Sequence, residues 1–262
     1  MQITDQLLAQ IADKAAAATP VDIRIGAHWT LVTLDVAGEI CAGLSSTLGG
    51  GDDDHHHGGR MPVRDAGQLL SYTAAELVAL AHSHSLPEAS VGYATLNALL
   101  DVDESACVDV NAADVIAEYS AGKKAVIVGH FPFIPQIKNI AETLWVLELR
   151  PREGDLPAEA APAILPQADV VALTGTSLLN HTFEDLVKLC RPDAFVVVLG
   201  ATSPLSPVLF DYGVDAISGT VIVDSEAAAL AVSQGATFKQ IPGKRLLTMF
   251  SLDTTTNSER NK

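Results

Sequence analysis

At 262 residues, 48% of them hydrophobic and 18% charged, the chain can bury a substantial core, either as one large domain or as two ordinary ones. Its formal net charge of −16 leaves no cationic stripe for a polyanion, so neither nucleic acid nor an anionic membrane is an expected partner. Cys41, Cys107 and Cys190 lie far apart, have apolar or small neighbours and form no CxxC pair, a pattern read as reduced core residues.

The N-terminus predicts an amphipathic helix on Leu7, Leu8, Ile11 and Ala15. Asp5 and Asp13 interrupt it and no long apolar run occurs, so it reads as neither signal peptide nor membrane span, and the cytoplasm is the expected compartment. Strands follow near 21–25, 30–36 and 39–44, the last two joined tightly through Ala37-Gly38, which implies an antiparallel meander. Two helices come next, one opened by Thr73-Ala-Ala-Glu76 with capping-box spacing and one by Pro87 in its first turn.

From about Asn111 the pattern changes to strict alternation, with strands at 124–129, 144–149, 169–174, 195–200 and roughly 214–218 separated by helical stretches. These strands are continuous apolar runs, as expected where helices cover both faces of a parallel sheet. The fold class predicted is therefore α/β: an α+β domain over 1–108, then a Rossmann-like parallel-sheet domain over 109–262 with a polar, frayed tail from about 254.

The strand ends of the second domain carry the chemistry. In an open parallel sheet the strand C-termini share one edge, where ligands bind. Here those ends read Gly129-His130-Phe-Pro-Phe133, Glu148, Thr174-Gly175-Thr176-Ser177 and Gly200-Ala-Thr-Ser203-Pro204. The first lacks the second and third glycines of a dinucleotide fingerprint, so NAD is not expected. Glu148, 19 residues beyond Gly129, stands where a Rossmann acid accepts hydrogen bonds from ribose or another polyol; the plainer reading is a strand-end acid paired with Arg150 or Arg152.

Thr174, Gly175, Thr176 and Asn180 offer hydroxyls, amides and close backbone approach for a carboxylate or phosphate, or else only satisfy their own turn, and Thr182 is placed as the N-cap of the next helix. Gly200 and Ser203 form a similar rigid polar loop, with Pro207 starting a helix. His130 is the neutral-pH acid/base candidate of this edge and, with Glu148, the candidate catalytic pair, although a strand-end histidine also serves as a structural hydrogen bonder. No nucleophile elbow, Walker loop or HExxH occurs.

One segment of the first domain stands apart. Asp52-Asp-Asp54-His55-His56-His57 is flanked by glycines, which predicts a mobile loop. Its carboxylates and imidazoles suit a divalent transition metal, Zn, Ni, Fe or Cu, or else form a solvated polar loop; contiguous residues rarely fill a coordination sphere, so further ligands would come from elsewhere. His82 and His84, two residues apart on a helix, read as surface residues.

Glu88-Ala-Ser-Val-Gly92-Tyr-Ala-Thr-Leu-Asn97, Asn111-Ala-Ala-Asp114, Val128-Gly129-His130-Phe-Pro-Phe133, Glu148 with Pro151, and Gly154-Asp155-Leu-Pro157 closely resemble the heavy-metal chelation domain family. The likeness continues through Ala168-Asp169, Thr174-Gly-Thr-Ser177-Leu-Leu-Asn180, Gly200-Ala-Thr-Ser-Pro-Leu-Ser206, Gly213-Val-Asp215 and Gly219, and so spans nearly the whole chain. The resemblance implies a first domain like the N-terminal domain of enolase, a Rossmann-like second domain, and an active site in a cleft between them to which Asn97 contributes. It also implies condensation or hydrolysis of pterin-, flavin- or siderophore-like molecules and handling of heavy metals. The Asp/His run departs from the plainer loop of such relatives. Two functions therefore stand side by side: a binder or enzyme acting on a small metal-chelating ligand, and a non-catalytic metal carrier using the 52–57 run. A homo-oligomer is compatible with either.

Overall fold

The computed structural model describes residues 2–49 and 62–252, which gather into two compact units. One holds the chain up to Val102 together with Thr220–Arg245; the other holds Asp103–Gly219 and the chain from Leu246. The α/β class holds, with a three-stranded antiparallel sheet and a mostly parallel sheet of eight strands. A single cut at 108/109 does not describe the units, because 220–245 returns to the first.

The first unit begins with α1 (Ile3–Gln10) and α2 (Ala12–Ala17), joined through Ile11; Ile3, Leu7, Ile11 and Ala15 recur every fourth residue and are all buried. Strands β1 (Ala18–Ile25), β2 (Trp29–Val36) and β3 (Glu39–Ser46) follow as the expected meander. Ala37 at φ 55° and Gly38 at φ 93° make the tight β2–β3 turn, which requires positive φ at both central positions. Helix α3 (Ala74–Ala79) has the predicted capping box: the Glu76 amide donates to Thr73 Oγ1 at 3.2 Å and the Thr73 amide to Glu76 Oε2 at 2.8 Å.

Helix α4 (Leu86–Leu99), with Pro87 in its first turn, is buried on nearly every side. It lies so close to its neighbours that a Cβ on Gly43 of β3 would stand 2.2 Å from Ala94 O, and one on Gly92 only 2.0 Å from the Ala81 amide nitrogen. Its Tyr93 hydroxyl, fully buried, meets Thr4 Oγ1 at 3.0 Å.

In the second unit β4 (Cys107–Val108) and α5 (Ala112–Ser120) lead into β5 (Lys124–Val128), α6 (Ile134–Ile140), β6 (Thr143–Glu148) and the two-residue β7 (Leu156–Pro157). Then come α7 (Ala161–Ile164), β8 (Val170–Thr174), α8 (Thr176–Leu179), α9 (Phe183–Lys188), β9 (Phe195–Leu199) and β10 (Ala216–Ile222). Helix α10 (Ser225–Ser233), which belongs to the stretch that returns to the first unit, and β11 (Lys244–Phe250) complete the order. The sheet runs β4-β11-β10-β9-β8-β5-β6-β7, parallel from β10 to β7, with β11 antiparallel to β4. Ile127, Val170, Ala172, Phe195 and Val197 from its strands pack with Val115 and Ile116 of α5 and Ile137 of α6 into one core.

This order contains a reversal. From β5 the chain goes to β6 and β7 on one side and returns to β8 on the other, so β5 and β8 are hydrogen-bonded neighbours whose following segments part in opposite directions. At such a switch point the strand C-termini leave a crevice.

Three local expectations change. Thr182 does precede α9, but its hydroxyl makes no cap; it donates to Asn180 Oδ1 at 2.7 Å. Pro207 opens a 3₁₀ turn, Pro207–Tyr212, capped by Ser206 Oγ, which accepts the Val208 amide at 3.3 Å. The three cysteines are free thiols but half-buried, at the margins of the core and not inside it. No helix among the described residues is long and apolar enough to cross a membrane.

Candidate functional site

Three glycines mark the C-terminal edge of the parallel sheet. The Gly129 amide donates to Leu147 O of β6 at 2.9 Å, Gly175 to Leu199 O of β9 at 2.8 Å, and Gly200 to Ser218 O of β10 at 3.1 Å. Each ladder thus runs one residue past its strand before the chain turns away. Gly129 turns at φ 102° and Gly200 at φ 115°, a region only glycine adopts readily.

Across the switch point the loops touch. A Cβ on Gly129 would stand 3.1 Å from Thr174 Cβ and 3.2 Å from the Phe131 ring, and one on Gly175 would stand 2.4 Å from Ser203 Oγ. Gly129, Thr174, Gly175 and Ser203 are therefore neighbours at the ends of β5, β8 and β9. Thr174 Oγ1 and Thr176 Oγ1 are 3.0 Å apart and hold one another, while Ser177 Oγ is held by the main chain, donating to Thr174 O at 2.6 Å. Ser203 is 2% exposed, and its Oγ has no hydrogen-bond partner among the described residues. A buried hydroxyl left so costs roughly 1–3 kcal/mol.

Glu148 ends β6 beside Gly129 and is half-buried, with its Oε1 accepting the Leu149 amide at 2.8 Å. Neither Arg150 nor Arg152 pairs with it among the described residues. His130 follows Gly129, and its Nδ1 lies 3.2 Å from Asp155 Oδ2. Phe131 and Phe133 stack beside it, ring centroids 5.2 Å apart. Nothing in the sequence marks Asp155 for this contact, because a carboxylate 25 residues from its histidine leaves no local signature.

The other nominated residues fare differently. Asn180 Oδ1 accepts the Thr182 amide at 3.2 Å as well as its hydroxyl, so this oxygen holds its own turn. Asn97 belongs to the first unit, where its Nδ2 donates to Leu44 O at 2.9 Å and ties α4 to β3. Asp52, Asp54, His55, His56 and His57 lie outside the described residues. His82 is exposed, with Nε2 3.4 Å from Asp5 Oδ1, and His84 is also exposed. Among the described residues no group of three or more His, Cys, Asp or Glu side chains is arranged to hold a metal ion.

A cavity of about 760 Å³ opens at the opposite, N-terminal ends of β9 and β10, walled by Cys190, Arg191, Ala194, Tyr212 and Asp215 among others. None of the nominated residues lines it.

Comparison with known proteins bears on the whole chain. Residues 111–250 match the family model DUF364 and residues 8–100 the model DUF4213, both described as "Putative heavy-metal chelation". An uncharacterised protein of Methanocaldococcus jannaschii is 23% identical over 236 residues, covering 87% of this chain and 88% of that protein. The crystal structure of a DUF364-family protein of unknown function from Desulfitobacterium hafniense is similar at a TM-score of 0.79 and 25% identity, covering 95% of this chain and 98% of that one. Another from Pyrococcus horikoshii has a TM-score of 0.80 at 18% identity, covering 95% and 100%.

Proposed function

Because the chain belongs to the DUF364 heavy-metal chelation family, we propose that it binds a small metal-chelating molecule at the C-terminal edge of its parallel sheet, in the service of heavy-metal or transition-metal handling. The observation that carries the reading is the meeting of Gly129, Thr174, Gly175 and Ser203 at the β5–β8 switch point, flanked by Glu148 and His130. Such a crevice supplies what a small polar ligand needs: Gly200, with open space where its Cβ would stand, glycines at 129 and 175 that let the loops close on one another, fixed hydroxyls, and one buried hydroxyl with no partner among the described residues.

The donor set favours an organic ligand over a bare cation at this edge. Hydroxyls are poor ligands for Zn, Ni or Cu, and the one imidazole and the carboxylates of Glu148 and Asp155 are not arranged as a transition-metal sphere. The metal is then cargo, arriving on the chelator. Pterin-, flavin- and siderophore-like molecules share the needed features, a planar or polyhydroxylated body with several oxygen and nitrogen donors, and the Phe131–Phe133 pair offers a flat apolar wall beside the polar tips.

The test is to purify the untagged protein, determine metals by elemental analysis, and identify copurifying small molecules by mass spectrometry. An organic chelator that is retained by the wild type and lost in Glu148→Ala and His130→Gln supports the reading. Metal retained with no organic partner, and lost when His55, His56 and His57 are all changed to Ala, would instead make the protein a metal carrier acting through that run.

A further inference from the structure

The imidazole of His130 is held from one side only. Its Nδ1 faces Asp155 Oδ2 at 3.2 Å, the Asp155 side chain being 5% exposed and that of His130 29%. Asp155 is itself fixed by its own turn: Oδ2 also accepts the Arg152 amide at 3.0 Å, and the Asp155 amide donates back to Arg152 O at 3.0 Å. Gly154, at φ 92°, lets the chain close this loop between β6 and β7. The carboxylate therefore cannot swing away from the ring without breaking the turn. No hydrogen bond reaches Nε2 from any described residue.

A carboxylate oxygen accepts and has no proton to give, so the ring nitrogen facing it must be the one that carries hydrogen. In a neutral imidazole the other nitrogen then bears the lone pair. We propose that Asp155 is a positioning residue that locks His130 as the Nδ1–H tautomer, so that Nε2 stands at the strand tips as the acceptor for an acidic O–H or N–H of the ligand. This rests on the ligand site argued above, and it narrows the ligand to one with a proton to give, such as a phenolic, hydroxamic or ring N–H group. A second-partner carboxylate of this kind also fixes the ring plane, which a free strand-end histidine lacks.

If Asp155 served only to close its turn, the Arg152 amide would suffice and the ring could adopt either tautomer.

The test reads the tautomer directly. Long-range proton–nitrogen NMR on the ligand-free, nitrogen-15-labelled full chain at pH 8, with the His130 signals assigned by their loss in His130→Gln, should show a protonated Nδ1 and an unprotonated Nε2. Asp155→Ala should shift His130 toward the Nε2–H tautomer that free histidine favours. Asp155→Asn, whose Oδ1 can accept from both Arg152 and His130, should keep the wild-type pattern and guards against a variant whose loop has collapsed. An Nε2–H pattern in the wild type, or one unmoved in Asp155→Ala, overturns the assignment. Because these spectra are taken without ligand, they stand or fall separately from the binding site; the acceptor role is read apart, by a drop of at least tenfold in copurified molecule in His130→Gln, and unchanged occupancy there overturns it.

Discussion

Arg64 grips the carboxylate of Glu88 three times: its backbone N–H donates to Oε1 at 2.9 Å, its Nε to the same oxygen at 3.0 Å, and its Nη2 to Oε2 at 3.3 Å. Ser83 Oγ adds a fourth bond to Oε2 at 2.6 Å. Glu88 sits in the first turn of α4 with its side chain only 4% exposed, a position a glutamate holds only when its charge is answered. The contact joins the chain just after residue 61 to the most deeply buried helix of the first unit.

Burial pushes the Glu88 carboxyl upward, but the bonds from Arg64 and Ser83 outweigh it and hold it below the usual carboxylate range. Its stabilising contribution is therefore complete above the unfolded glutamate pKa and is lost as pH falls through the lower folded value. Glu88→Gln should cost about 1.5–3 kcal/mol near neutral pH, the worth of a charge-assisted bond. Urea titrations of both proteins at several pH values from neutral to strongly acidic should show that gap closing at the acid end. A gap that stays constant would mean the charge contributes nothing.

Gly92 predicts a sharper loss. Its missing Cβ would fall 2.0 Å from the backbone nitrogen of Ala81, which cannot yield as a side chain tip would, whereas Gly49 has open space around it. Gly92→Ala should destabilise toward the upper end of the roughly 1–3 kcal/mol typical of overpacking. Gly49→Ala should leave the thermal midpoint almost unmoved. Equal midpoints for the two variants would show that α4 and the Leu80–His82 turn can part at little cost.

Where the fold was legible, local chemistry decided it. The continuous apolar runs at 125–128 and 195–199, the Thr73–Glu76 box and the Ala37-Gly38 turn all act within a few residues, and the strands, cap and hairpin stand where those signals put them. What escaped is decided by partners distant in sequence. β4 and β7 are two residues long and exist only as edges paired to Thr248–Met249 and Leu147–Glu148. The return of 220–245 to the first unit leaves no local mark, and Glu88 would read as an ordinary acidic first-turn residue until Arg64, 24 residues away, is placed on it. The row of strand tips was legible because parallel strands end on one edge by topology alone; the Asp155 contact to His130 was not, since it depends on how one loop closes.

Cys190 should be the slowest thiol of the three. Burial pushes it up to about 11, and its Sγ lies 3.6 Å from Leu186 O in the wall of the cavity at the N-terminal strand ends. Thiolate is the reactive form, so at pH 8 only about one Cys190 in a thousand is reactive at any instant. Cys41 and Cys107 are also raised, chiefly by burial and then by Glu39 and Asp103 respectively, yet less so. Labelling with a disulfide reagent at pH 8 and peptide mapping should find Cys190 modified last in the native protein and alongside the others in denaturant, its native rate climbing as pH rises toward 11. Early modification of Cys190 would mean that its burial is lost in solution.

Two serines at the strand tips should respond oppositely to the same change. Ser177 Oγ donates to Thr174 O at 2.6 Å, so Ser177→Ala breaks a formed bond in a buried setting and should cost on the order of 1 kcal/mol. Ser203 Oγ is buried against Gly175 with no partner among the described residues, and desolvating it already burdens the ligand-free protein. Ser203→Ala removes that burden and should leave stability unchanged or raise it by about 1 kcal/mol. If its hydroxyl waits for a ligand, the same variant should lose affinity for the chelator while gaining or holding its thermal midpoint, a divergence that a purely structural serine does not produce. Should Ser203→Ala instead destabilise as much as Ser177→Ala, the hydroxyl already has a partner in the folded protein, and Ser203 leaves the binding site.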